Sequence, residues 1–395
     1  MGATEDGGLR RASPATRMIQ LNKSREVFRA FGFPVSVHPS WLLVLLLLTW
    51  SLATGWFPLR QPDEALATYW IMGVSGALAL FACIILHELA HALVARRRGM
   101  PIGGITLFLF GGVAQLGQEP PTPATEFQVA IAGPVASALI GFVAWALAKV
   151  GQASGFPDTV VGVFDYVAIV NLVLIGFNAV PAFPLDGGRV LRSGLWRLRG
   201  DLRWATRVSA RIGSAFGAVV VLLGILSLVA GNVLGGVWFV LIGMFVRGAA
   251  RGAYQQLLIR QMLEGEPVGR IADLRVAPVS PSLSVQELVD GYLYRPRADI
   301  HPVARNGRLL GVIATNQIRS VPRERWNEVT VEDLMTAPSQ ENTISADADA
   351  TSALEKMTRW GRRRLIVLDG GVVAGILALD DLLELARIKL EIERQ

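Results

Sequence analysis

The residues best suited to chemistry in this sequence are His87, Glu88 and His91, within the pattern His-Glu-Leu-Ala-His. On a helix, the two histidines are one turn apart and share a face. Two imidazoles at this spacing hold Zn²⁺, and the glutamate between them acts as general base on the metal-bound water. The pattern lies in an apolar stretch, Trp70–Val94, with no other charged residue. Charge at membrane depth indicates a functional site; the alternative is two packed core histidines beside a salt-bridged glutamate.

A catalytic zinc site also needs a third protein ligand and an open position for water. The best candidate is Asp186, within the segment Asn178–Arg189 that ends a later apolar run. Pro181 and Pro184 interrupt a helix there, so the segment is expected to unwind and to expose polar groups. The alternative is that Asp186 is an ordinary turn residue at the end of a helix.

The composition places these residues in a membrane protein. The chain has 395 residues, 52% of them hydrophobic, and its long apolar runs lie between residues 41 and 250. Runs that approach the ~20 residues needed to cross a bilayer predict six spans. They are Trp41–Phe57, Trp70–Val94, Phe127–Val150, Val160–Val180 and a pair within Ile212–Ala250. The pair is expected to turn near Gly231-Asn232 or Gly235-Gly236, with a short second member.

Basic residues are distributed unevenly around these runs. Nineteen Lys or Arg residues occur in the segments 1–40, 95–126, 181–211 and 247–260, which would lie on one side of the membrane. The segments on the other side contain only Arg60 and Lys149. The positive-inside rule therefore predicts a multi-pass protein of the cell membrane with both termini in the cytoplasm. The same asymmetry explains the net charge of +6, so no nucleic-acid partner is expected.

Two segments near the membrane domain favour strands. Ile102–Ala114 is β-branched and aromatic with glycine pairs, which predicts a hairpin or re-entrant strand pair. An exposed strand edge beside a catalytic zinc could pair with an extended peptide substrate, while the alternative is a structural loop. Phe33–His38 predicts a further short strand, and the polar residues 1–26 are expected to be mobile.

Residues 251–395 have the character of soluble α/β sequence with an internal repeat. Each copy contains a predicted helix, a strand, a tight turn, a second strand and a helix. The turns are Asn306-Gly307 and Asp369-Gly370, which favour hairpins because both turn positions need positive φ. Two such copies are expected to pack face to face.

The two site motifs together resemble the site-2 protease family of intramembrane zinc metalloproteases. The matching residues are the His-Glu-Leu-Ala-His pattern and an Asn-x-x-Pro-x-x-Pro-x-Asp-Gly pattern, and the resemblance covers roughly residues 33–250. It implies one zinc ion bound by His87, His91 and Asp186, with Glu88 activating water. It also implies that Asn178 helps to place the substrate or its oxyanion.

The family also has a Gly-Pro on the third span, here Gly133-Pro134. Many members carry an asparagine shortly after it, where this chain has Ser137. Cys83 shares a helical face with the histidines, so a thiolate ligand and simple burial both stay open. His38 precedes the first span, where it could line the site or orient a group beside it; the alternative is a capping or interfacial role.

The C-terminal repeats resemble a tandem pair of CBS domains over residues 268–390. Such pairs often bind adenine nucleotides through a Ser or Thr after the second strand and an Asp three residues later. These positions are Ala314 and Gln317 in the first repeat, and Ala378 and Asp381 in the second. The hydroxyl is missing in both repeats and the carboxylate in the first, so Asp381 is the one position that matches the nucleotide-binding pattern. The alternative is a structural module or one that forms a homodimer.

These features predict a polytopic α-helical membrane protein with about six transmembrane helices and a small membrane-associated β element, followed by a cytoplasmic α/β tandem CBS module. The predicted parts are a mobile cytoplasmic arm (1–32), a membrane-embedded metalloprotease domain (33–250), a linker (251–267) and tandem CBS domains (268–390). The predicted function is a zinc endopeptidase in the lipid bilayer that hydrolyses a peptide bond in or near a transmembrane segment of another protein, with the CBS pair regulating access. The alternatives are a CBS-regulated transporter and a non-catalytic scaffold that binds membrane proteins.

Overall fold

The structure is a computed structural model that describes residues 24–108, 111–116, 118–274, 276–293 and 300–393. The chain forms two compact units, Met1–Gln255 and Gln256–Gln395. The first 23 residues of the predicted mobile arm lie outside the described part of the chain.

The first unit consists mainly of long apolar helices, and six helices of the described part could cross a membrane by length and composition. The helices are Ser40–Arg60 (α1), Leu66–Arg97 (α2), Pro123–Ala153 (α3), Asp158–Asn178 (α4), Asp186–Arg199 (α5), Leu202–Val229 (α6) and Val233–Leu263 (α7). Helix α5, with 14 residues, is not among the six long apolar helices. Many of their large apolar side chains are exposed. Such side chains are expected on a surface that faces lipid rather than water.

The predicted number of spans is confirmed, and one detail of the last pair is corrected. The turn lies at the first expected position, where Gly231 has a φ of +87°. The second member is not short, because α7 continues to Leu263. The apolar run ends near Ala250, but the residues that follow it are mostly good helix formers and extend the helix beyond the apolar part.

A four-stranded sheet packs on α2. Its strands are Arg25–Ala30 (β1), Phe33–Val37 (β2), Ile102–Phe108 (β3) and Gly111–Leu116 (β4), in the order β1-β2-β3-β4. The strand pairs β1/β2 and β3/β4 are antiparallel, and β2/β3 is parallel. The predicted hairpin and the short strand are both present. Residues 25–30 were assigned to the mobile arm, but they form β1, because a tight turn at Phe31-Gly32 brings them back onto β2.

The helix that carries the two histidines is held on two sides. Leu89 and Ala92 of α2 pack against Phe33 and Ile105 of the sheet. Another side of α2 contributes Ala95 to a cluster with Val129 of α3. Helix α3 begins at a cap where the Thr122 side chain accepts a hydrogen bond from the Thr125 backbone, with proline in the first turn.

The second unit contains a five-stranded sheet in the order β5-β6-β9-β8-β7. Its strands are Ile300–Arg305 (β5), Arg308–Ala314 (β6), Thr343–Ser345 (β7), Arg364–Asp369 (β8) and Val372–Ala378 (β9). Its helices are Val285–Leu288 (α8), Thr315–Arg319 (α9), Val331–Leu334 (α10), Ala350–Trp360 (α11) and Leu379–Ile392 (α12). Both predicted hairpins are present, and the strand that follows each turn leads into a helix. The first turn is Asn306-Gly307 as predicted, but the second is Gly370-Gly371 and not Asp369-Gly370. Asp369 pairs with Val372 as the last residue of β8, and two glycines supply the positive φ that the turn needs.

Candidate metal centre

Two histidines of α2 form the first part of a buried polar cluster. His87 and His91 lie one turn apart, and their rings meet edge to face with centroids 4.9 Å apart. They are only 5% and 4% exposed. Buried imidazoles require hydrogen-bond partners, so the partners determine what each ring nitrogen can do.

Helix α3 supplies a partner for the Nδ1 atom of each ring. His91 Nδ1 lies 2.6 Å from the carbonyl oxygen of Val129. A carbonyl oxygen only accepts, so His91 Nδ1 donates its proton, and in the neutral ring, the form that binds metals, the lone pair is on Nε2. His87 Nδ1 lies 2.9 Å from Ser137 Oγ, a hydroxyl that can accept in the same way. Outer partners of this kind fix the tautomer and the orientation of metal-ligating histidines.

The acidic residue of the cluster comes from the start of α5. Asp186 is 7% exposed. Its Oδ2 atom lies 3.1 Å from His87 Nε2 and 3.3 Å from His91 Nε2. One potential ligand atom from each of the three residues lies within 4.8 Å of the others. The structure therefore brings together the three residues that the sequence proposed as ligands.

This donor set fits a zinc ion. The lone pair of His91 Nε2 and a carboxylate oxygen of Asp186 face each other, and two electron-rich atoms repel each other unless a cation or a proton lies between them. Two imidazoles and one carboxylate are a recognised donor set of catalytic zinc, and they leave a fourth position for water or substrate.

Gly133 of α3 keeps space open beside the ring nitrogens. A Cβ atom at this position would lie 2.3 Å from His91 Nε2 and 2.4 Å from His87 Nε2. No other residue type fits there without moving α3, which also carries the hydrogen-bond partners of both rings. The absence of a side chain at Gly133 therefore leaves open the space beside the two Nε2 atoms, where a bound ion would lie.

Glu88 follows His87 on α2 and lies beside strand β4 of the sheet. It is half-buried on α2, and the backbone of β4 passes beside it. A Cβ atom at Gly112 of β4 would lie 2.8 Å from Glu88 Cγ. The carboxylate that the sequence proposed as general base is therefore next to an edge strand as well as to the two histidines.

Comparison with known proteins identifies the family. Peptidase family M50 matches residues 75–162 and 149–223, and the CBS domain family matches residues 331–387. The protein named zinc metalloprotease Rip3 of Mycobacterium tuberculosis is 38% identical over 90% of this chain and 91% of its own length. The chain belongs to peptidase family M50.

Two further M50 relatives extend the comparison. The zinc metalloprotease sll0528 of Synechocystis is 34% identical over 90% of this chain and 94% of its own length. The solved structure of a site-2 protease from Methanocaldococcus jannaschii is 30% identical, with a TM-score of 0.41, over 58% of this chain and 94% of its own. The resemblance seen in the motifs is confirmed: this M50 member is a multi-pass zinc metalloendopeptidase of the site-2 protease type with a CBS domain.

Asn178 makes a hydrogen bond within its own helix. It is the last residue of α4, and its Nδ2 atom donates a hydrogen bond to the carbonyl oxygen of Leu174 in the same helix, at 3.0 Å. The side chain is half-buried. A role in placing substrate therefore requires Asn178 to exchange this local partner for the substrate.

Cys83 and His38 have structural partners. The buried Cys83 Sγ accepts a hydrogen bond from Asn171 Nδ2 of α4 at 3.2 Å, which favours burial over metal binding. His38 Nδ1 lies 2.8 Å from Ser40 Oγ and accepts from the Ser40 backbone at 3.2 Å. His38 thus accepts a hydrogen bond from one backbone N–H in the first turn of α1, which favours the capping role.

Two partners of the M50 histidines were not assigned from the sequence. Ser137 was noted only as a departure from the family pattern, although it lies one turn after Gly133 on the same helical face. A hydroxyl one turn after a glycine in an apolar span could have indicated a buried polar partner for the histidines. The Val129 carbonyl belongs to the backbone, so no residue type could reveal it.

Asp381, the predicted nucleotide marker, occupies the first turn of α12. Its Oδ2 atom accepts a hydrogen bond from the Ala378 backbone at 3.0 Å. In the first repeat Gln317 Oε1 accepts from the Ala314 backbone in the same way, at 2.6 Å. Both side chains therefore cap the helix that follows their hairpin.

Proposed function

We propose that this M50 protease cleaves a peptide bond in or near a transmembrane segment of a membrane-protein substrate, with His87, His91 and Asp186 as the zinc ligands. The observation that carries the proposal is the convergence of three ligand atoms within 4.8 Å, one of them an Nε2 lone pair fixed by a backbone carbonyl. When bound there, zinc supplies Lewis-acid polarisation of the scissile carbonyl and acidifies water.

Glu88 is the general base of the proposed reaction. Its carboxylate accepts a proton from the attacking water and later delivers it to the leaving amine. Its position on α2 beside both histidines supports this role. Asn178 is proposed as an amide donor to the substrate or its oxyanion, once its side chain leaves the Leu174 carbonyl oxygen.

The edge of β4 is the proposed docking place for the substrate. A transmembrane helix hides its carbonyl groups in its own hydrogen bonds, so the substrate must unwind locally before attack. Strand β4 ends the sheet order, and an extended peptide can hydrogen-bond to such an edge. Because β4 passes beside Glu88, a strand added there would run close to the general base.

The topology and the CBS module complete the proposal. The distribution of basic residues supports cytoplasmic termini in the cell membrane. We infer a protease domain over residues 33–250, a linker over 251–267 and a CBS pair over 268–390 that regulates access. An adenine nucleotide near Asp381 and a homodimer through the CBS domains are parts of the same proposal.

Metal analysis tests the ligand set without a known substrate. We expect about one zinc per chain in the detergent-purified wild type and strong loss of zinc in Asp186→Ala. Cys83→Ala is the matched control, because Cys83 lies on the same face of α2 but has Asn171 as its partner. Equal zinc content in wild type and Asp186→Ala would contradict the ligand assignment.

Glu88→Gln tests the general base separately from the metal. The variant should keep its zinc and lose cleavage by about 10²–10⁴-fold or more, because the amide cannot accept the proton. The assay uses two single-span peptides in liposomes, one with a Gly-Pro pair in the middle of the span and one with an uninterrupted leucine-rich span. Only the first should be cut by the wild type. Cleavage of the first peptide by Glu88→Gln at the wild-type rate would refute the role of Glu88 as general base.

A further inference from the structure

A buried ion pair lies one helical turn or more away from the proposed ligands. Arg192 of α5 is 4% exposed and Glu126 of α3 is fully buried. Arg192 Nε lies 2.5 Å from Glu126 Oε1, and Arg192 Nη2 lies 3.2 Å from Glu119 Oε2. Removing charges from water costs several kcal/mol per ion, so a pair of this kind is weak evidence for stability and calls for another explanation.

The pair joins the helix of the acidic ligand to the helix that orients the histidines. Arg192 lies six residues after Asp186 on α5. Glu126 lies one turn before Val129, whose carbonyl oxygen binds His91 Nδ1, and the same helix carries Ser137. A shift of α5 relative to α3 would therefore change the distance between the carboxylate and the two imidazoles.

Arg192 also contacts the chain that enters α5. Its guanidinium carbon lies 5.0 Å from the centroid of the Phe183 ring, three residues before Asp186. Phe183 is itself pressed against α6, where a Cβ atom at Gly213 would lie 2.0 Å from the Phe183 carbonyl oxygen. The Thr206 hydroxyl of α6 lies 3.4 Å from Arg192 Nη1. One side chain thus touches the segments on both sides of the acidic ligand.

We propose that Arg192, through its ion pair with Glu126 and its stacking on Phe183, is a positioning residue that holds Asp186 against His87 and His91. It does not touch the metal or the substrate. The inference rests on the proposed ligand set. Arginine suits the task because its planar guanidinium can bind two carboxylates and stack on a ring at once, which a lysine ammonium cannot.

A role in fold stability alone makes a different prediction. Breaking a buried pair by removing one partner leaves an uncompensated charge and destabilises a protein, whereas neutralising both partners is often harmless. A merely structural pair would therefore lose stability in Arg192→Met and regain it in the double variant Arg192→Met/Glu126→Gln, with unchanged metal binding. A positioning pair loses the link between α3 and α5 in both variants.

The experiment measures thermal unfolding and metal binding on the full-length detergent-purified chain. Zinc affinity is measured by competition with a chelator, and the ligand geometry by the visible absorption spectrum of the Co²⁺-substituted protein. We expect the double variant to unfold near the wild-type temperature, to bind zinc about 10-fold or more weakly, and to show a changed Co²⁺ spectrum. Arg197→Met is the matched control, an exposed arginine of the same helix, and it should match the wild type in all three measurements.

Three results decide the inference. Wild-type zinc affinity and Co²⁺ spectrum in the folded double variant overturn it. If neither Met variant folds, Arg192→Lys is measured instead: weaker zinc binding at an unchanged unfolding temperature supports the inference, and unchanged zinc binding overturns it. Equal zinc in wild type and Asp186→Ala would instead show that the ligand set itself is wrong.

Discussion

The side chains of the candidate metal centre find their partners far along the chain, while the equivalent side chains of the two C-terminal repeats, Gln317 and Asp381, cap their own helices. Ser137 and Asp186 meet His87 across 50 and 99 residues. Gln317 and Asp381 instead accept hydrogen bonds from the backbone N–H three residues before them, and Gln317 also donates one to the carbonyl oxygen of Leu334, 17 residues later. The difference shows that a residue suited to chemistry by type becomes part of a buried site only when separate elements converge on it.

The comparison is sharpest at the carboxylates. Asp186 opens α5 but turns its Oδ2 atom toward two imidazoles of another helix. Asp381 lies in the first turn of α12 and uses its Oδ2 atom to complete the start of that helix. Both are acids in the first turn of a helix, yet only Asp186 lies among other potential metal ligands.

Gly133→Ala should produce the largest effect, because its Cβ would overlap both ring nitrogens of the metal cluster. We expect zinc affinity to fall by more than the ~10–100-fold typical of lost outer partners, measured by chelator competition. Gly176→Ala on α4, where nothing lies within 4 Å of the added atom, should bind zinc normally. Normal zinc binding by Gly133→Ala would mean that α3 does not lie against the histidines.

Ser137→Ala should have an intermediate effect. Loss of the partner of His87 Nδ1 frees the ring orientation, and we expect zinc affinity to fall by about 10–100-fold with little change in the unfolding temperature. Ser137→Asn restores an acceptor and should recover most of the affinity. Ser154→Ala, at the end of the same helix, is the control. Equal zinc affinity in all three variants would show that Ser137 does not support His87.

Asp381→Ala should have the smallest effect. Loss of the cap contact should lower the free energy of unfolding by about 0.5–1 kcal/mol. Gln317→Ala should lower it further, because Gln317 also donates a hydrogen bond from Nε2 to the carbonyl oxygen of Leu334 at 2.6 Å. Thermal unfolding with and without AMP adds a second reading. We expect AMP to stabilise wild type and Gln317→Ala more than Asp381→Ala. Equal stabilisation of all three proteins by AMP would show that Asp381 does not contribute to nucleotide binding.

Local patterns in the sequence predicted most of the elements. The apolar runs predicted the six spans, since a bilayer sets the length of a span directly. The turn pairs Asn306-Gly307 and Asp369-Gly370 predicted that the C-terminal unit has two hairpins, although the second turn lies one residue later, at Gly370-Gly371. Strand β1 was missed, because an exposed edge strand with charged residues has no clear alternation and gains its partners only from β2.

The candidate site was predicted as far as residue type and local spacing can reach. His87, Glu88 and His91 were recognisable because one helical turn fixes their relation, and Asp186 because prolines and glycines mark its unusual surroundings. Their shared cluster, the Val129 carbonyl that fixes a tautomer and the Arg192–Glu126 pair were not, since each depends on how α2, α3 and α5 pack.

The sequence by itself determined the residue types of the candidate ligands and the number of spans, because both follow from short-range spacing and from the length of apolar runs. Only the tertiary structure decided which nitrogen of His91 is free to bind a metal and how closely α3 approaches it. The orientation of His91 depends on a backbone carbonyl 38 residues away, and the approach of α3 depends on the missing side chain of Gly133. Hydrogen bonding and steric exclusion between packed helices set these features, and neither is encoded in the residues of one helix alone.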